Sequence, residues 1–251
     1  MRAASASILA TAASLAAVAL GACVPPLPGS AVDETPDASV PPPHADAATD
    51  GAPNPLAACA GPTLATALIT DFADAVGSNP ITFGRAPGIT GHVFSPPIVT
   101  DRGMTLPTVT VSLAAGVNGT TALKVTPPPA TSANHTTWYR FGLLFDNAVD
   151  VSHYNSVLFR IDGIPASCAM LFSVISTENV TTADSPRGAC KQAPCPAAPT
   201  WSFSGSGPFC MPLAGTANSP VDQKALIGVS WQIVGGCGDV PMLDDVQLGK
   251  S

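Results

Sequence analysis

The chain has 251 residues, of which 46% are hydrophobic and only 11% charged, with a formal net charge of −7. That is enough apolar material for a sizeable core once non-globular segments are set aside. No run of Lys and Arg occurs, so the clustered cations that a phosphate backbone requires are missing and nucleic acid is excluded as an expected partner.

At the start of the chain, Arg2 precedes an uncharged Ala/Leu/Val stretch from Ala3 to Leu20, which ends in Leu20-Gly21-Ala22-Cys23. A membrane-spanning helix needs ~20 predominantly apolar residues; this stretch is diluted by Ser and Ala and stops at small residues rather than at a basic cluster. It resembles a bacterial lipoprotein signal with its lipobox. The resemblance implies that residues 1–22 are a signal peptide and that Cys23 carries lipid as the N-terminus of the mature chain. The protein is then expected outside the cytoplasm, in the cell envelope, held to the outer membrane or cell surface through its lipid anchor alone. Acyl chains contribute about 0.8 kcal/mol per buried CH2, so several chains on one residue hold firmly.

Residues 23–58 form the next segment. From Val24 to Ala58 there are nine prolines, five acids (Asp33, Glu34, Asp37, Asp46, Asp50), no Lys or Arg, and no aromatic residue. Such a composition cannot bury enough apolar surface to offset its ordering entropy, so a disordered, Pro/Ala/Asp-rich tether is expected. At about 3.1 Å per residue where it is polyproline-like, it spans on the order of 100 Å. With five of the seventeen acids in the tether and one of the ten bases in the leader, residues 59–251 hold twelve acids and nine bases, a net of −3.

Six cysteines follow Cys23: Cys59, Cys168, Cys190, Cys195, Cys210 and Cys237. An even number in an exported chain points to three disulfides. Cys190 and Cys195, separated by a short Pro-containing loop, are the best local pair. Joining Cys59 to Cys237 would pin the start of the domain near its end and leave Cys168 with Cys210, but many other connectivities remain open. Zinc is the rival reading of the Cys190/Cys195 spacing, and neither a second cysteine pair nor nearby histidines support it.

From Cys59 onward, short apolar runs alternate with Gly, Pro, Asn and Asp and show no sustained 3.6-residue period, which predicts an all-β domain over residues 59–251. In chain order the predicted strands are 67–72, 82–84, 108–113, 121–126, 137–145, 156–161, 170–176, 201–203, 226–234 and 242–248. About ten strands fit one β-sandwich. Alternation assigns their faces. Tyr139, Phe141, Leu143 and Phe145 point to the core, with Trp138, Arg140, Gly142 and Leu144 opposite. Val157, Phe159 and Ile161 likewise oppose Leu158, Arg160 and Asp162, and Trp231 shares the core side with Ile227 and Ile233. If strands 137–145 and 156–161 share a sheet, Arg140 and Arg160 stand together near Trp138.

Five segments, "ALITDFADA", "VDVSHYNSVLFRIDG", "VISTENVTTAD", "ALIGVSWQIVGG" and "PMLDDVQLG", occur in this order over most of residues 64–249. Together they resemble carbohydrate-binding-module-like jelly rolls of the galactose-binding-domain type. The resemblance implies a jelly-roll β-sandwich, a monomer that binds polysaccharide or another glycan without catalysis, and often a structural Ca2+. It carries the calcium carboxylates onto Asp71 and onto Asp244 or Asp245; calcium takes six to eight oxygens, which first and last strands can present together. A sugar also needs an aromatic face and planar polar groups, and Trp138, Arg140, Arg160 and Gln232 are the residues expected to supply them. Both arginines, Arg140 and Arg160, also have Asp162 and Asp150 as possible ion-pair partners. Residues 196–220, rich in Pro, Gly and Cys, depart from the family's clean strand.

No Gly-x-Ser-x-Gly or His-Glu-x-x-His motif is present, and Asp146 with Asp150 or Asp244 with Asp245 does not read as a glycosidase pair, since adjacent strand residues point to opposite faces. The chain is therefore not expected to be an enzyme. Two readings from different classes follow: a glycan-binding module on a lipid-anchored tether, and a structural or adhesion lipoprotein whose sandwich binds a protein partner and no sugar. A third is a remnant hydrolase, which would need two carboxylates about 5 to 9 Å apart in a cleft.

Overall fold

A computed structural model describes residues 64–84, 88–96, 98–99, 105–106, 108–128, 138–180, 187–191, 194–234 and 241–250. All of them belong to the second of the chain's two units, Asp50–Ser251. The expected signal peptide, Cys23, the tether, Cys59 and Cys237 lie outside the described residues. Among the described residues no helix is long and apolar enough to cross a membrane.

Fourteen strands form among these residues: β1 (Leu64–Thr70), β2 (Thr82–Phe83), β3 (Gly91–Phe94), β4 (Ile98–Val99), β5 (Thr105–Leu106), β6 (Thr110–Ala115), β7 (Thr121–Thr126), β8 (Trp138–Val149), β9 (Ser156–Asp162), β10 (Ala169–Ser176), β11 (Thr200–Ser204), β12 (Gly207–Pro212), β13 (Leu226–Val234) and β14 (Met242–Lys250). The first sheet has the order β12-β9-β14-β7-β6, with β1 also on β14; the second is β11-β10-β13-β8-β3-β2; β4 and β5 pair separately. Every pairing is antiparallel.

The two orders correspond strand for strand. β12, β9, β14 and β7 of the first sheet match β11, β10, β13 and β8 of the second, so each chain-adjacent pair is split between the sheets. Antiparallel pairs wrapped around a common core in this way make a jelly-roll β-sandwich.

The core follows the alternation. Val157, Phe159, Ile161, Leu243 and Leu248 of the first sheet meet Tyr139, Phe141, Leu143, Phe172, Val229 and Trp231 of the second, all buried. Phe159 ties the layers together: its ring centroid lies 5.3 Å from Phe172 and from Trp231, 5.6 Å from Phe203 and 5.7 Å from Phe209. Aromatic contacts of this kind add about 0.5–1.5 kcal/mol each beyond area burial. Trp231 is a core residue, 0% exposed, and Trp201 leans on Phe172 from β11.

Residues 196–220 hold two strands, β11 over the predicted 201–203 and β12 in addition. One expectation needs correction. β8 and β9 do not share a sheet: β8 is in the second and β9 in the first. The Asp150–Asn155 connection carries the chain across the sandwich. Val151 is buried, its N–H donates to Gln223 O on the side of β13, and Asn155 N–H donates to Gly249 O in β14. Alternation along a strand specifies inside and outside but not which sheet the strand joins.

Candidate functional site

The sandwich has two outer faces, and the predicted ligand residues are divided between them. On the second sheet, Arg140 of β8 pairs in register with Gln232 of β13, which pairs with Leu171 of β10, which pairs with Ser202 of β11. The next row on this face is Gly142, Ser230, Ser173 and Thr200. Trp138 stands two residues before Arg140, half-buried, and Arg140 is exposed. With the Gln232 amide turned so that its oxygen faces Arg140, Oε1 accepts from Arg140 Nη2 at 2.8 Å and from Nε at 3.3 Å. The protein packed around Arg140 lowers its guanidinium from the ordinary arginine value by desolvation, and the group remains charged at any physiological pH.

The second row is a floor of small side chains. Ser173 Oγ and Thr200 Oγ1 are 3.0 Å apart. Ser230 is 1% exposed, and its hydroxyl has no hydrogen-bond partner among the described residues. Gly142 is required where it is: a Cβ there would come within 2.6 Å of the Phe94 ring, so the absence of a side chain lets that ring lie against the strand. Phe94 is thus a second aromatic residue on the face of Trp138 and Arg140, in register with Gly142. Sequence reasoning missed it because Gly91–Phe94 is too short to alternate convincingly; the aromatic residue at its end was the available signal.

Arg160 stands elsewhere, on the outer face of the first sheet, in register with Asp244 and Pro208. Its Nε donates to Asp162 Oδ2 at 2.7 Å and its Nη2 to Asp162 Oδ1 at 2.9 Å. This two-point ion pair, helped by the charges of Asp162, Asp245 and Asp244, raises its pKa. Trp138, Arg140 and Gln232 are therefore brought together and Arg160 is not, because β8 and β9 belong to different sheets.

The three carboxylates carried over as calcium ligands lie near the β14 bulge. Asp71 follows β1 and its Oδ1 accepts from Ala73 N–H at 3.0 Å. Asp244 is 3% exposed; its Oδ2 accepts from Thr120 Oγ1 at 2.5 Å and its Oδ1 from Asp245 N–H at 2.9 Å. Desolvation first, then the charges of Asp245 and Asp71, raise the Asp244 pKa against the lowering effect of those hydrogen bonds. Asp245 takes positive φ, at 51°, where the β14 register shifts. A calcium cradle needs six to eight free oxygens, whereas both Asp244 oxygens are already engaged by protein donors. Among the described residues no group of three His, Cys, Asp or Glu could hold a metal ion. The residues present do not fit the ion.

Other acids are engaged locally. Asp146 Oδ2 accepts from Thr90 Oγ1 at 2.8 Å. Asp150 Oδ1 accepts from Ser152 N–H at 2.9 Å, and Ser152 lowers the Asp150 pKa. Cys190 and Cys195 form a disulfide with a Cα–Cα distance of 5.7 Å, as their spacing suggested. Cys168 and Cys210 are also disulfide-bonded, and the two other globular cysteines, Cys59 and Cys237, lie outside the described residues.

No family model matches the chain, and no curated protein does. Among solved structures, it is similar to a family 11 carbohydrate-binding module from Clostridium thermocellum in complex with a β-1,3-1,4-mixed-linked tetrasaccharide: TM-score 0.42, 11% identity, 73% of this chain and 94% of that one. A family 30 module of a cellulosomal cellulase of Clostridium thermocellum gives 0.49 and 12%, over 75% and 99%. A non-crystalline-cellulose-specific family 28 module gives 0.36 and 16%, over 57% and 82%. The jelly-roll assignment stands on the strand order described above.

Proposed function

We propose that this chain is a non-catalytic glycan-binding protein, anchored to the cell envelope by lipid on Cys23, that holds polysaccharide on the outer face of its second sheet. The observation that carries the reading is the meeting of Trp138 with the hydrogen-bonded pair Arg140–Gln232 on one face. A pyranose ring offers an apolar side to an aromatic residue and equatorial hydroxyls to planar donors and acceptors. Trp138 supplies the first requirement and Arg140 with Gln232 the second. Phe94 extends the aromatic surface one row further, about 13 Å from Trp138 measured along four strand residues, a span that suits an oligosaccharide better than a single sugar.

The test is binding of the whole chain to a polysaccharide panel, with Trp138→Ala beside it. The variant is expected to lose at least about tenfold in affinity, or roughly 1.4 kcal/mol, with an unchanged melting temperature. Failure to bind any glycan with the fold intact would sink the proposal and favour a protein partner. For the anchor, Cys23→Ala is expected to move the protein from the membrane fraction to the soluble one.

A further inference from the structure

Among the described residues, Arg140 has no carboxylate partner. Its only acceptor among the described residues is the neutral amide oxygen of Gln232, which takes the Nε and Nη2 side of the guanidinium. Neither register row through Arg140 and Gly142 holds a carboxylate. The first sheet shows how the fold treats an arginine it means to neutralise: Arg160 receives both oxygens of Asp162. Among the described residues of the second sheet no such partner stands beside Arg140, and the edge of its fork turned away from Gln232 keeps N–H donors to spare.

We infer that the glycan held on this face is acidic: a sugar carboxylate, of the uronate kind, docks on the free edge of Arg140 while the apolar side of the sugar lies on Trp138. The inference rests on the glycan-binding reading above and names its substrate class. A planar carboxylate matches the guanidinium fork with two parallel charge-assisted hydrogen bonds, a geometry that neutral hydroxyls do not provide. Residues 59–251 carry a net charge of −3 and exert no long-range pull on a polyanion, so recognition arises at contact.

The experiment measures binding of the whole chain to matched pairs of polysaccharides: glucuronoxylan, polygalacturonate and alginate, each beside its carboxyl-reduced form. The carboxylated member of at least one pair is expected to bind about tenfold or more tightly. Arg140→Gln is expected to erase that difference, so that both members of the pair bind equally and no more tightly than the reduced form binds the parent chain. Arg140→Lys, which keeps the charge and loses the planar fork, should retain only part of it, and serves as the second variant if Arg140→Gln does not fold. Equal binding of both members of every pair, or a preference that survives in Arg140→Gln, overturns the inference and leaves the glycan-binding reading standing. Failure of all pairs and of every neutral glycan overturns both.

Discussion

Among the described strands, each outer face of the sandwich carries one strand arginine, and the fold treats the two in opposite ways. Arg160, on β9, is closed by the two oxygens of Asp162 and lies in register with a buried Asp244. Arg140, on β8, has a neutral amide as its neighbour and a floor of Gly142, Ser230 and Ser173 beside it. The difference teaches that an exposed arginine by itself says little. What separates a structural ion pair from a recognition group is whether the surrounding strand positions supply a carboxylate.

Experiments can break this contrast at several levels. The largest effect is expected where both faces depend on one core. Phe159 touches Phe172, Phe203, Phe209 and Trp231, so Phe159→Ala should cost about 3–5 kcal/mol and abolish both faces together in a denaturant melt. Gly142→Ala acts on one face only. The added methyl group collides with the Val229 carbonyl oxygen of β13 and with the Phe94 ring, and a loss of about 1–3 kcal/mol is expected, with weaker glycan binding and no change around Arg160.

Smaller effects sharpen the comparison. Arg160→Gln should leave glycan affinity where it was; a loss as large as that of Trp138→Ala would show that the two faces are not independent. Asp244→Asn probes the acidic side of the first sheet through pH. The folded Asp244 carboxyl has a raised pKa, so the folded state keeps a proton that the unfolded chain has released. Its contribution to stability falls as pH rises from about 4, the ordinary aspartate value, through the raised one. The variant lacks this dependence. Thermal melts from pH 3 to 7 should show a smaller acid-to-neutral decline in Asp244→Asn than in the parent chain, and parallel curves would show that Asp244 does not titrate in that window.

How far the sequence reached can be read from particular residues. β7 and β13 were predicted to the residue; in β13, Ile227, Val229, Trp231 and Ile233 alternate with Gly228, Ser230 and Gln232, which leaves little choice of face. Trp231 was placed in the core for the same reason. β3 and β12 were missed: Gly91–Phe94 is four residues long, and Gly207–Pro212 opens on Gly-Pro and ends on Pro, both poor strand signals. At the site, Trp138, Arg140 and Gln232 were correctly grouped on one non-core face. Arg160 was misplaced, since that depended on whether consecutive strands pair or cross. Their connection, Asp150–Asn155, is as short as many hairpin loops, and only the buried Val151 within it marks a crossing. The carboxylates near β14 were found, but their use was not, because sequence does not show that Thr120 and the Asp245 amide already occupy Asp244.

One feature of β14 reaches beyond either face. Its first half pairs with β7 and its second half with β1, so that Leu64 lies opposite Lys250. Partners across an antiparallel ladder are about 5 Å apart. Leu64 and Lys250, the two ends of the described sandwich, therefore lie side by side. A short linker from Lys250 to Leu64 should close the ring and allow the chain to be reopened elsewhere, making the sandwich a unit that can be permuted or set into the surface loop of another protein without disturbing its sheets.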